Sequence, residues 1–140
     1  MNNLHVLGAV ASDSHDTVTV IRLFLHVLGA SVWVGGQIVM MGLVPTLRKI
    51  DADLPRKAAA AFNLVAWPGF GVTVLTGVWN MLARSNLDQT LLGVKLLIVL
   101  LSGAGAFIHI VGKSKVALAI GGTMSGLFAI VAMYMGLLLH

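Results

Sequence analysis

The sequence contains no cysteine and no glutamate, and its 140 residues include only five acidic side chains, three prolines and one tyrosine. Without cysteine there are no disulfides, thiolate metal sites, iron–sulfur clusters or thiol nucleophiles. Charged residues make up 10% of the chain against 58% hydrophobic ones, and the mean hydropathy is +0.96. That balance excludes an ordinary soluble domain and reads as an integral membrane protein. The formal charge of +4 comes from nine Lys and Arg, most of which stand at the ends of apolar runs. They mark membrane flanks rather than a nucleic-acid surface.

What remains is a set of four long apolar runs. A hydrocarbon core of about 30 Å takes about 20 helical residues, and the sequence predicts spans over residues 18–46, 57–84, 90–112 and 116–139. Residues 1–17 carry a short apolar piece with no cation before it, followed by Ser12, Asp13, Ser14, His15 and Asp16. A secretory signal has a basic start and a longer apolar core, so these residues are expected to form a retained extramembrane tail, and residues 18–140 the membrane domain. Arg48, Lys49, Asp51, Asp53, Pro55, Arg56 and Lys57 form the first connection, with Asp53 or Pro55 placed to open the second helix. Arg84, Ser85, Asn86, Asp88 and Gln89 form the second, and Lys113, Ser114 and Lys115 the third. Short connections give an all-α, up-down-up-down four-helix bundle.

The first and third connections hold most of the loop cations, which places them inside and both termini outside. At 1.5 Å per residue His26 lies about 10 Å below the start of its span and Lys95 about 7 Å below its own. These two can be neighbours, in one outer layer with Arg22, Trp79, Asn80, Met133, Tyr134 and Met135. His109 comes about 28 Å along its span, some 18 Å deeper than His26, so one metal centre cannot be shared by both histidines. Lys95, Ser102 and His109 recur at intervals of seven, which predicts one polar stripe down the third helix.

Arg22, His26, Gly29, Trp33, Gly36 and Met40 fall on one stripe of the first span. An ionisable residue inside a span is a functional-site hypothesis by default. His26 alone would equally suit a hydrogen bond to a carbonyl of the bundle, but Arg22 and Lys95 add two cations to its layer and no span contains an acid. Arg22 is expected to snorkel to the outer surface; otherwise an anionic ligand must neutralise these charges. A porphyrin is such a ligand: its propionates accept from Arg or Lys, its plane packs on Trp33 and glycine, and its iron takes an imidazole. The second axial contact is then expected to be Lys95, Met133, Tyr134, water or nothing. The seven methionines suit Cu(I), although methionine is also a common apolar filler, and His5, Asp13, His15, Asp16 and His140 are candidate copper ligands outside the spans. For His109 a solvated or helix-capping role near the inner face is the plain expectation.

Leu25-His26 followed by Trp33, Gly35, Gly36 and Pro45, then Thr76-Gly77, then Leu91-Leu92-Gly93 and Lys95, together resemble the membrane domain of copper-resistance D (CopD-like) proteins. The His26-to-Trp33 spacing, Pro45 with Arg48 after it, and Lys95 with a later His109 are also similar to HemJ-type protoporphyrinogen oxidases. The HemJ-like resemblance implies haem b or a porphyrin touching His26 and Lys95, and oxidoreductase chemistry in a bacterial plasma membrane. The CopD-like resemblance implies copper transport or homeostasis. A third reading is a non-catalytic membrane subunit whose polar stripe binds a partner protein or a second copy. A bare copper ion beside Arg22 and Lys95 meets like-charge repulsion, which favours the dianionic macrocycle.

The orientation is checked by single cysteines at Ser14 and Asp51, introduced into this cysteine-free chain. A membrane-impermeant thiol reagent should label the two from opposite sides, and labelling of both from one side would overturn the topology.

Overall fold

A computed structural model of the chain describes the backbone of residues 3–84 and 88–139, and the side chains of residues 17–84 and 88–139. The described residues form four helices, α1 (Asn3–Ile50), α2 (Leu54–Ala83), α3 (Gln89–Val111) and α4 (Lys115–Leu138). Each is long and apolar enough to cross a membrane, α1 through its part from Thr17 to Ile50, so the protein is an all-α, four-helix integral membrane protein. The α2–α3 connection lies at one end of the bundle, called the upper end here, and the other two connections lie at the lower end.

Helix starts are set by short polar side chains. Asp53 stands at the N-cap position of α2 without a capping side-chain hydrogen bond, Pro55 falls in the first turn, where a missing N–H costs nothing, and Asp51 Oδ1 accepts from the Asp53 N–H at 2.8 Å. Asp88 accepts from the amides of Thr90 and Leu91 at the head of α3, and Ser114 from Ala117 at the head of α4. All three aspartates with described side chains are thereby held at helix starts, outside the apolar spans.

Lipid offers no hydrophobic drive for helix pairing, so close packing falls to small residues. A Cβ on Gly29 would stand 2.6 Å from the Gly69 carbonyl oxygen of α2, and one on Gly105 would stand 2.7 Å from the Ser125 nitrogen of α4. These glycines zip α1 to α2 and α3 to α4 as two tight hairpins, whereas α1 against α4 and α2 against α3 meet loosely. The hairpins are joined at mid-depth, where Trp33, Val34, Ala66 and Ala129 are buried with Phe62, Trp67, Phe70 and Ala106 around them. The Trp33 ring lies 4.5 Å from Phe70 and 5.5 Å from Trp67, edge-on to the latter.

Several expectations change. The first helix does not stop at residue 46: it passes through Pro45 and ends at Ile50, so its connection is only residues 51–53. Proline removes one backbone donor, a loss borne near a helix end, and Arg48 and Lys49 in the last turn favour the negative end of the helix dipole. The other three helices fall within three residues of their expected bounds. At its start α1 runs without a break from Asn3 through residue 17. His5, Asp13, His15, Asp16 and His140, and Ser85 and Asn86 of the second connection, lie outside the residues whose side chains are described.

The seven-residue stripe on α3 also turns. Lys95 is half-buried, Ser102 is buried and His109 is exposed, because an α-helix drifts about 20° per heptad. His109 donates from Nδ1 to the Leu118 carbonyl of α4 at 2.6 Å, so it ties two helices together instead of capping its own.

Gly121 tests the zipper, since a Cβ there would stand 2.6 Å from the His109 nitrogen and 2.7 Å from the Gly105 oxygen, both backbone atoms. Gly121→Val should destabilise the protein by about 1–3 kcal/mol, the usual cost of overpacking, read as a lowered thermal midpoint in detergent. Gly42→Ala, where a Cβ meets nothing within 4 Å, should leave the midpoint nearly unchanged.

Candidate functional site

Above the mid-depth core the loosely joined hairpins part around a cavity of about 340 Å³ to which all four helices contribute. It runs from Arg84, Leu92 and Leu139 at the upper end down to Trp33, Ser102 and Ala129. Leu92 to Ser102 is ten residues of helix, so the cavity is about 15 Å deep, half of a roughly 30 Å hydrocarbon core. Its walls are mainly Val, Leu and Ala, and its polar groups are few.

His26 stands on one wall. Its Nδ1 lies 3.0 Å from the Thr73 carbonyl oxygen and 3.0 Å from Thr76 Oγ1. A carbonyl can only accept, and the Thr76 hydroxyl already donates to the Val72 carbonyl at 2.6 Å, so Nδ1 carries the proton. In the neutral ring the lone pair is then on Nε2, which has no hydrogen-bond partner among the described residues. A carbonyl that fixes Nδ1–H is the usual support for a ligating imidazole. Gly77 makes room for the ring, since a Cβ there would stand 3.2 Å from His26 Cε1.

Lys95 faces the same cavity from α3. Its ammonium lies over Gly136, 2.9 Å from where a Cβ would be, and it has no hydrogen bond or ion pair among the described residues. The ion pair the described residues contain is Arg56–Asp53, an exposed contact of 3.5 Å at the lower end. Arg84 and Asn80 add polar groups to the upper wall, and Asn80 Oδ1 is buried without a hydrogen-bond partner among the described residues.

Arg22 neither snorkels nor reaches the cavity. It is 5% exposed, its guanidinium carbon lies 5.7 Å from the centre of the Trp79 ring, and its Nε has no hydrogen-bond partner among the described residues. Four residues of helix turn 400°, so Arg22 is rotated about 40° from His26, enough to carry it off the cavity wall and against α2. The cation on that wall beside Lys95 is Arg84, read from the sequence as a loop residue.

Trp33 is on the cavity floor, and donates from Nε1 to Ser102 Oγ at 3.0 Å. Met133 lines the cavity. Tyr134 does not: it is 61% exposed, because the 100° step from Met133 carries it onto the outer surface of α4. The other methionine of that layer, Met135, is buried. His109 stands about 21 Å along α3 from Lys95 and has no part in this cavity.

Sequence reasoning missed the polar chain beneath the floor. Ser102 Oγ donates to the Ser125 carbonyl at 2.7 Å, and Ser125 Oγ donates to Gln37 Oε1 at 2.9 Å. Gln37 lies one turn below Trp33, and a glutamine in mid-span was the available signal. No protein-family model, curated protein or solved structure matches the chain. No group of three or more His, Cys, Asp or Glu that could hold a metal ion occurs among the described residues.

Ser102 is 1% exposed and both accepts and donates in this chain. Ser102→Ala leaves the buried Trp33 N–H without its partner and should cost about 1–3 kcal/mol, whereas Ser31→Ala, at an exposed serine, should cost close to nothing. Thermal midpoints of the two variants in detergent check the difference.

Proposed function

We propose that the cavity binds haem b or a related metalloporphyrin, with His26 as its axial ligand and Lys95 and Arg84 as partners of its carboxylates. The observation that carries this reading is His26: its Nδ1 is held by the Thr73 carbonyl, its Nε2 is left without a partner, and a cation without an acid stands beside it. The wall chemistry fits such a group. An apolar body is received by Val, Leu and Ala, the anionic edge by the cations of the upper end, and the metal by one neutral imidazole. About 340 Å³ is at the small end of the roughly 300–1,000 Å³ usual for ligand pockets, and the loose hairpin contact leaves room for a flat group.

Bound there, a haem would supply one-electron chemistry at a potential set by its axial ligand and surroundings. This chain's own residues orient the imidazole, exclude water with apolar walls and neutralise the carboxylates. The HemJ-like resemblance points the same way and makes an oxidoreductase role the natural proposal. The CopD-like reading has less support, because His26 and Met133 supply two donors while Lys95 and Arg84 repel a bare cation. The upper end is proposed to face outward, from the distribution of loop cations.

Purified protein reconstituted with haem should show a Soret band that His26→Ala abolishes while the protein stays folded. Lys95→Ala should weaken binding by about tenfold to a hundredfold, the worth of one charge-assisted hydrogen bond of roughly 1.5–3 kcal/mol. His109→Ala should leave the spectrum unchanged. Undiminished haem in folded His26→Ala would refute the ligand role; copper bound without a Soret band would favour the CopD-like reading, and neither the non-catalytic subunit.

A further inference from the structure

The cavity is open to one side. Four of its lining residues are exposed, and they form two facing pairs: Val27 and Ser31 on α1, and Met133 and Leu137 on α4. Each pair is spaced i, i+4, so each forms one edge a helical turn long. On α2 and α3 no lining residue reaches that exposure: Val74, Val78, Leu92, Leu96 and Val99 are half-buried. At the upper end Arg84 and Leu139 are half-buried as well. Both loose seams of the bundle border the cavity, but the lining residues exposed to the surroundings are those along α1 and α4.

This opening stands at the level of the polar groups. Val27 follows His26 in sequence, and the Lys95 ammonium lies over Gly136, between Met133 and Leu137. Its edges are three apolar side chains and one serine within spans that cross the membrane, so what lies against them is acyl chain, not water. We propose that the α1–α4 seam is a lateral portal, through which the cavity takes up a membrane-dissolved anionic amphiphile from the upper leaflet rather than a solute from water. The proposal rests on the reading of the cavity as a haem site for its choice of probe. The substrate class follows from the route: an apolar body that partitions into lipid, with acidic groups that rest near the interface and meet Lys95 and Arg84 as the body slides in. The polar chain through Trp33, Ser102, Ser125 and Gln37 holds the hairpins together below, so the seam can widen above it without parting the bundle.

The absence of cysteine makes the test direct. The full chain carrying Val27→Cys and Leu137→Cys, one on each edge of the opening, is reconstituted in vesicles, and the two thiols are joined by a short bis-maleimide. Uptake of haem from haem-loaded vesicles is followed by the Soret band and by quenching of tryptophan fluorescence. Joining the seam should slow uptake at least about tenfold, a rise of roughly 1.4 kcal/mol in the barrier. It should slow release of previously loaded haem similarly and leave the bound spectrum unchanged. Ser31→Phe, which narrows the opening without a linker, should slow uptake in the same direction. Leu28→Cys modified with the same reagent, on the outer surface of α1, should load like the unmodified protein. Uptake at the unlinked rate in both the joined protein and Ser31→Phe would overturn the portal while leaving haem binding intact. Failure of every form, joined or not, to acquire a Soret band would instead overturn the haem reading and the portal with it.

Discussion

The hydrogen-bonded chain from Trp33 through Ser102 to Ser125, with Ser125 in turn donating to Gln37, is the constraint on which the arrangement depends. Each hairpin is closed by glycine contacts within itself, but the two hairpins have no comparable run of small residues between them. In lipid, burial of apolar surface does not draw them together. What joins them is two hydrogen bonds, Trp33 of α1 to Ser102 of α3 and Ser125 of α4 to Gln37 of α1, each worth about 0.6–2 kcal/mol in a membrane and linked to each other by the Ser102–Ser125 bond, with the Trp33, Trp67 and Phe70 rings packed alongside. Because this clasp sits at mid-depth, the hairpins are fixed below it and free to diverge above. The cavity is the space left by that divergence, and Trp33 belongs to both, as the clasp's donor and the cavity's floor.

Charge placement gives that space its chemistry. Asp51 and Asp88 accept from backbone amides at helix starts, where a carboxylate also meets the positive end of a helix, and Asp53 pairs with Arg56 at the start of α2. None is left to enter the spans. A cation deep in a membrane costs about 2.5–3.5 kcal/mol on insertion scales, and a cation–π contact returns about 0.5–2 kcal/mol. Arg22 against Trp79 is thus partly compensated within the protein. Lys95 has no such contact among the described residues and faces the cavity.

Much of this was legible in the sequence. The four apolar runs give the four helices, since length and hydropathy are all that spanning requires. Helical rise puts His26 and Lys95 at one depth, and the structure places both on one cavity. Depth is robust because it accumulates linearly along each helix. Rotation is not: an error of one residue is 100°, and a side chain a turn away can still leave the wall. That is why Arg22 and Tyr134 had the right level and the wrong direction. The end of α1 was missed for another reason: Arg48 and Lys49 read as connection because they are charged, but cations in the last turn favour the negative end of the helix dipole and extend the helix. The hydrogen bonds from Ser125 to Gln37 and from Ser102 to Ser125 join residues far apart in the chain, and no local pattern specifies them.

A tight bundle and a ligand cavity make opposite demands on the same four helices, and the distribution of glycine separates them. Glycines 29, 69, 105 and 121 lie where backbones of one hairpin approach each other, and they bring those helices as close as peptide groups allow. Gly77 and Gly136 serve otherwise: the space their missing side chains leave is filled by His26 and by Lys95, each reaching across from another helix. Closing the α1–α4 seam with further small residues would strengthen the bundle, but it would remove the volume that those two side chains line. The weakness of that seam and the existence of the site are therefore one property of the sequence, and a variant that tightens the seam should gain stability as it loses the cavity.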